Sequence, residues 1–532
     1  MARTMPDCPG DIEIEKLDHH PGMLSRTYDI EVITPMFGGG VDAGKIDPEH
    51  PIRESSIRGH LRFWWRATRG ASFSDVRELR QREGEIWGST ENPSPVILYS
   101  TLMQPVEPKN CGRYEWNQNR RRGAGGYDLH WWNGQKHLDK PAFLYTLFPY
   151  QGKAPDSPDP SDPSKTIVAT KFSLIVKSPT PEKMSGVRSK YNEQRNKENE
   201  RRKKENEKRL VSNKNSLPYL PLLNEEHDDI LKDIEAAIWA WVNFGGIGAR
   251  TRRGCGALLC TNVNPLLDSG LSYIPKKSDV DELFKWYTSS LDYFGLTPLQ
   301  SSISRNWPTI PRQIFFKSPK PGDRKGSDSV SKWYEAVEVL YKFRQGIGFG
   351  RDPGPGLSRW PEAEALREYV YGTARVPKSI HRIRPRFIHG VDPRMSGFIK
   401  EPNLAFPRVE FGMPIILEIR KEGIKPTLQP SEENDRMASP LLLRCIKCED
   451  GMCASMIFRF NTLSLRSAYV KPGDPDKDDN TQNARVIPQA EIQNLSSTGY
   501  PNSPMAKRCT NGSALDAFLS FAEKESGFMR VG

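Results

Sequence analysis

Hydrophobic and polar positions along this chain switch repeatedly between a period of two and a period near 3.6, in a definite order. Residues 27–34 (TYDIEVIT) alternate and carry β-branched side chains, which predicts a strand ended by Pro35 and Gly38-Gly39-Gly40. A loop runs to Glu54, and Ser55 and Ser56 then offer N-caps for a helix over 57–69 that Gly70 stops. A second helical piece closes at Glu85-Ile86-Trp87-Gly88. Residues 95–103 and 166–177 read as strands, 228–243 as a strongly apolar helix, and 256–263 as a strand. The order β-α-β-β-α-β is ferredoxin-like, the arrangement used by common RNA-recognition modules.

The pattern then recurs. Residues 313–317 begin a second module, followed by a helix at 330–344 and Gly346-Ile347-Gly348, an echo of Gly246-Ile247-Gly248. Strands are expected at 414–420, 441–445 and 455–461, and a terminal helix at 514–524. The fold class is α+β: two ferredoxin-like (RRM-like) domains with long insertions. The expected division is a polar tail (1–26), a first domain (27–265), a connector with a helix at 280–291 (266–311) and a second domain (312–532). Among the insertions, 109–135 reads as a long functional loop. Residues 190–209 are almost wholly charged and read as a solvated helix or a disordered insertion.

Composition narrows the function classes. At 532 residues the chain exceeds what one core usually supports. No apolar run approaches the ~18 residues of a membrane span, and residues 1–11 lack the apolar region of a secretory signal, so a cytoplasmic protein is expected. The formal net charge of +11 favours a polyanionic partner. Eight cysteines in so long a chain argue against a disulfide scaffold. Cys445, Cys448 and Cys453 have the spacing of three zinc ligands, but no fourth Cys or His lies near; no metal and no cofactor is expected.

Arginine placement says more than total charge. At ~100° per residue, Ile57, Leu61, Trp64 and Thr68 share one stripe of the helix, while Arg58, Arg62, Arg66 and Arg69 share another. Guanidiniums in a row without interleaved carboxylates repel one another, and an RNA backbone would neutralise them. Residues 245–256 (GGIGARTRRGCG) hold five glycines and three arginines. Such a loop can present main-chain N–H groups to phosphate beside fixed charge. It follows a helix and lacks GK[ST], which disfavours nucleotide hydrolysis. Candidate RNA-binding residues are therefore Gly38, Gly39, Gly40, Arg53, Ser55, Ser56, Arg58, Arg62, Arg66, Gly245, Gly246, Gly248, Arg250, Arg252 and Arg253. Arg120-Arg121-Arg122, near Trp116, Tyr127, Trp131 and Trp132, has the make-up of a single-strand binder or of a disordered basic loop.

Thr34-Pro35-Met36-Phe37-Gly38-Gly39-Gly40 and Ile52-Arg53-Glu54-Ser55-Ser56-Ile57-Arg58-Gly59-His60-Leu61-Arg62-Phe63-Trp64-Trp65-Arg66 together resemble the RAMP superfamily of CRISPR proteins. So do Glu85-Ile86-Trp87-Gly88, the 245–256 loop, Gly356-Leu357-Ser358-Arg359-Trp360-Pro361-Glu362 and Arg436-Met437-Ala438-Ser439-Pro440. More narrowly, these segments are similar to the first-named RAMP subunit of the Cmr (type III-B) module. The resemblance implies CRISPR RNA and target RNA as ligands. It also implies a place at the tail of the effector, beside another RAMP tail subunit and the last backbone subunit, with no catalytic residue of its own. No GGDD palm motif is present, and the isolated His227-Asp228 pair reads as a helix start. Two other readings stand beside this one: a metal-independent RAMP endoribonuclease acting on precursor RNA, for which His60 is the best base, and a protein-interaction subunit without RNA contact.

Overall fold

In the computed structural model, the described residues are 22–39, 49–90, 93–103, 170–211, 230–262, 272–296, 305–320, 328–349, 407–416, 427–431, 433–462 and 513–532. Short pieces lie between them (47, 109–110, 112–117, 126–132, 137–138, 141–147, 165–166, 322, 360, 468–471, 482–484 and 504–505). The elements that position the site are β1 (Met23–Val32), α1 (Glu54–Ala67), α2 (Val76–Trp87), β2 (Ile97–Leu102), β3 (Lys171–Pro179), α3 (Pro181–Val211), α4 (Ile230–Phe244), β4 (Leu258–Cys260), α5 (Val280–Tyr293), β5 (Ile314–Lys317), α6 (Ser329–Gln345), β6 (Leu441–Lys447), β7 (Cys453–Arg459), α7 (Ala514–Ser526) and β8 (Met529–Val531).

Two four-stranded antiparallel sheets follow the same rule. The first has the order β2-β3-β1-β4, with Ile97 opposite Lys177, Tyr28 opposite Leu174 and Ile30 opposite Cys260. The second has the order β6-β7-β5-β8, with Leu443 opposite Ile457, Phe315 opposite Ile457 and Phe315 opposite Arg530. In each, the third strand of the unit lies between the first and second, and the fourth pairs with the first. This is the split β-α-β arrangement of two ferredoxin-like units. β1 starts at Met23, inside what reads from the sequence as a polar tail. β8 was not expected at all. The stretch read as a long loop contains a hairpin, Gly112–Asn117 paired with Gly126–Trp132.

Alternation places Tyr28, Ile30 and Val32 of β1 on the covered face of the first sheet. They share a core with Leu98, Phe172, Leu174, Ile57, Leu61, Trp64, Ile234 and Ile238. The second sheet is different because β6 and β7 are both buried almost throughout. One face (Phe315, Leu441, Leu443, Cys445, Ile457) packs on Trp333, Leu340 and Phe343 of α6 and Phe518 of α7. The other (Ile314, Phe316, Leu442, Met456, Phe458) joins the core of the first unit, where Phe458 stacks on Phe244 at 5.1 Å. Helix α5 completes that layer, with Trp239 lying 6.0 Å from Trp286 and 6.4 Å from Tyr287. A near-continuous apolar strand such as Leu441–Lys447 is what a sheet covered on both faces requires.

Candidate nucleic-acid interface

Helix α1 begins one turn earlier than the serines suggest. Arg53 occupies the N-cap with extended backbone and no side-chain cap bond, so Ser55 and Ser56 lie inside the first turn. The start is held instead by Glu54, whose carboxylate accepts from Ser100 N at 2.9 Å and Ser100 Oγ at 2.7 Å; a negative charge there also suits the helix dipole. Ser55 is exposed, while Arg53 and Ser56 are half-buried.

The arginine row is not free of carboxylates. Arg62 Nε and Arg66 each donate to one oxygen of Glu83 on α2, both at 2.6 Å, and the Glu83 side chain is only 6% exposed. Arg69 pairs with Asp233 at 3.0 Å. Arg58 donates to Ser94 Oγ (2.8 Å) and the Val96 carbonyl (3.1 Å), with no carboxylate partner among the described residues. The premise of an unneutralised row is thereby corrected: a carboxylate from the next helix meets it. Arg62 and Arg66 remain about one-third exposed.

The 245–256 segment is shaped by internal close approach. Gly248 has φ +83°, and a Cβ there would lie 2.7 Å from both Met36 Cγ and the Phe37 carbonyl. At Gly256 (φ +61°) a Cβ would fall 1.9 Å from the Ile247 carbonyl. Main-chain bonds from Ile247 N to Gly256 O (2.9 Å), Ala249 N to Phe37 O (2.6 Å) and Gly256 N to Pro35 O (2.9 Å) close the loop on itself and on the segment after β1. Gly38 and Gly39, both with positive φ, lie in that segment, and Gly39 comes up against Gly248. Gly40 lies outside the described residues. Gly245 and Gly246 are buried against Trp241, Trp64 and the Gly256 carbonyl.

The three loop arginines part company. Arg253 is buried and donates to the Leu441 carbonyl at 3.1 Å, with its own carbonyl accepting from Trp333 Nε1; burial pushes its pKa down to about 10. Arg252 donates to the Ser439 carbonyl and lies over the rings of Phe63 (5.5 Å) and Phe460 (5.3 Å); burial likewise pushes it to about 10. These two hold the loop onto the second unit, which corrects their assignment as RNA contacts. Arg250 differs. It is half-buried in the left-handed region (φ 63°), and its guanidinium has no carboxylate partner among the described residues. Beside it, the main-chain N–H groups of Gly248, Arg250 and Thr251 have no acceptor among the described residues.

The structure therefore joins Gly38, Gly39, Gly248 and Arg250 at one rim. It separates them from Arg58, Arg62 and Arg66, which turn toward α2 and β2, whereas the loop meets α1 through Phe63 and Trp64. Convergence of the whole set on one surface is not what the coordinates show. His60, the candidate base of the nuclease reading, stacks on Trp241 at 6.3 Å and 14°, and burial pushes its pKa below the usual 6.5. Cys445 and Cys453 face one core and Cys448 the other, so the three thiols do not converge; burial pushes Cys445 up to about 12. Arg120-Arg121-Arg122 and His227-Asp228 lie outside the described residues, as does all of the 356–362 motif except Trp360.

Sequence reasoning missed one residue central to this geometry. Arg444, 1% exposed, donates from β6 to the carbonyls of Val242 (3.1 Å), Gly245 (2.7 Å) and Leu258 (2.9 Å), clasping the ends of α4 and the loop. Its signal was a single charge at a position where every neighbour in LLLRCIK but the last is buried.

A ferredoxin-like unit whose second helix runs into a glycine- and arginine-rich loop closed against the first strand defines a class. Residues 29–259 match the RAMP superfamily. More particularly, it is similar to the CRISPR system Cmr subunit Cmr1-2 of Pyrococcus furiosus, 38% identical over 77 residues. That alignment covers 14% of this chain and 39% of the length of the curated relative. Among solved structures, the apo crystal structure of Cmr1 from Pyrococcus furiosus matches with TM-score 0.39 and 16% identity, over 87% of this chain and 94% of that one. A type III-B Cmr-beta complex bound to cognate target RNA contains a chain matching at TM-score 0.40 and 15% identity, over 86% and 97%. None of the described helices is long and apolar enough to cross a membrane.

Proposed function

We propose that this chain is a non-catalytic RNA-binding subunit of a type III-B (Cmr) CRISPR effector complex. In this reading it sits at the tail end, beside another RAMP tail subunit and the last backbone subunit. There it contacts the 3′ region of the CRISPR RNA and the target RNA. Its similarity to a Cmr subunit supports the assignment to such a complex. One observation carries the RNA contact: the rim where Gly38 and Gly39 meet Gly248, with three N–H donors that have no acceptor among the described residues beside the one loop arginine not drawn inward. Donors of this kind accept phosphate oxygens without reading sequence. Arg53, Ser55 and Ser56, which follow the glycine segment in the chain, are further candidate contacts in this reading.

Arg250→Ala tests this directly, because the Arg250 side chain makes no hydrogen bond or ion pair among the described residues. Filter binding of RNA to the full chain should weaken several-fold across sequences. The slope of log affinity against log salt should fall by about 0.7, the value of one single-strand phosphate contact. Unchanged affinity and slope would remove the rim from the site.

A further inference from the structure

Helix α3 is 31 residues long, about 46 Å at 1.5 Å per residue, and carries eleven Lys/Arg against six Glu. Its charges are sorted by face. Taking ~100° per residue, Lys183, Lys190, Lys197, Arg201, Lys204 and Lys208 fall within a sector about 60° wide, and no glutamate falls inside it. The half-buried positions Asn192, Arg195, Asn199, Arg202, Asn206 and Arg209 lie on the opposite side, with half-buried Glu198 at its edge. Lys183, Lys197, Arg201, Lys204 and Lys208 are exposed.

The glutamates stabilise the helix from outside that sector, and two of them reach the row. Glu198 pairs with Arg202 at 3.3 Å and Glu205 with Arg209 at 3.4 Å, both on the half-buried flank. Glu193 reaches the row at Lys197 (2.8 Å), and Glu198 touches Arg201 only at 4.0 Å. Lys204 has no ion-pair partner among the described residues. Four cations, Lys197, Arg201, Lys204 and Lys208, thus succeed one another along about 16 Å of helix, mutually repelling.

We propose that this outward row is a second docking track for the RNA backbone, distinct from the glycine rim. The proposal rests on the RNA-binding reading above and extends it to an element outside the RAMP motifs. The chemistry favours phosphate over a protein neighbour. The row holds no aromatic or aliphatic side chain, and lysines are depleted at protein–protein interfaces, whereas rows of cations are how sugar-phosphate backbones are held. With nothing to stack on bases, the track is indifferent to sequence.

The test uses the full chain with Arg201→Gln, Lys204→Gln and Lys208→Gln together, since glutamine keeps the helix propensity. A charge-matched control carries Lys203→Gln, Lys276→Gln and Lys277→Gln, of which Lys203 sits on the same helix but off the row. With an RNA long enough to reach both surfaces, the row variant should lose about 2 from the log–log salt slope, the sum expected for three phosphates, and the control should not. An unchanged slope in the row variant, or an equal loss in the control, overturns the proposal. So does loss of an acidic partner protein with RNA binding intact. If Arg250→Ala weakens binding and the row variant does not, only the track falls; if neither does, the RNA reading falls with it.

Discussion

His60 stands on the flank of α1 that faces Trp241, its ring lying nearly parallel to the indole. Burial there disfavours the imidazolium, so the folded-state pKa lies below the 6.5 of the unfolded chain. The unfolded state consequently binds more protons as pH falls through 6.5, and folding stability drops with it. At higher pH this loss is absent. Urea midpoints should fall between about pH 7.5 and about pH 5.5, and His60→Gln should remove part of that fall. Glu235 biases stability in the opposite direction, since burial raises its carboxyl, so the comparison between the two proteins isolates the histidine. At this scale the sequence was least legible. A histidine among arginines reads as a candidate base, and Arg252 and Arg253 read as ligand contacts, because which side chains lie inside is decided by neighbours far along the chain. Ser439 and Leu441, which accept from those two arginines, come almost two hundred residues later.

Helix α1 shows what periodicity conveys and what it omits. The stripe of Ile57, Leu61 and Trp64 is buried as its spacing predicts. The arginine stripe was equally visible, but its counter-charge was not, because Glu83 belongs to the next helix and nothing local marks it as the partner. That carboxylate now governs the expected effect of substitution. Arg62→Ala with Arg66→Ala leaves Glu83 almost buried and unpaired, and should cost roughly 2 kcal/mol in denaturant unfolding. This sits at the low end for a broken buried pair because both guanidiniums are partly exposed. Adding Glu83→Gln should recover part of the loss. If the double alanine variant unfolds like the parent, the pairing contributes nothing. Strands were legible in proportion to their length: β6 and β7 stand out as apolar runs, whereas the three residues of β8, two of them exposed, carry no pattern.

At the scale of the molecule, the β-α-β-β-α-β order of the first unit could be read from the chain because its periods alternate clearly, whereas the closing strand of the second unit could not. The way the units join could not. The join depends on the even-numbered positions of β5, β6 and β7 facing the first core, and on Arg444 inserted into the carbonyl ends of α4 and the loop. Burial pushes the Arg444 pKa down to about 10, which still leaves a cation whose charge is met only by main-chain dipoles. Arg444→Met keeps much of the volume but removes the donor from four main-chain carbonyls, those of Val242, Gly245, Leu258 and Cys445; it should cost roughly 3 kcal/mol and lower the melting temperature by several degrees. On the proposed RNA-binding reading, affinity measured well below the melting point should fall as well, since the loop loses its clasp. A variant with the parent's stability would show that the carbonyls find other donors.

The sheet that is covered twice has one more consequence, for how the polypeptide comes to exist. Its layer of Phe316, Met456 and Phe458 has no water-facing side, so the amino-terminal half cannot finish its interior until the last strands have left the ribosome. Severing the backbone between α5 and β5 would accordingly yield two insoluble pieces when made apart, yet a single particle when synthesised together.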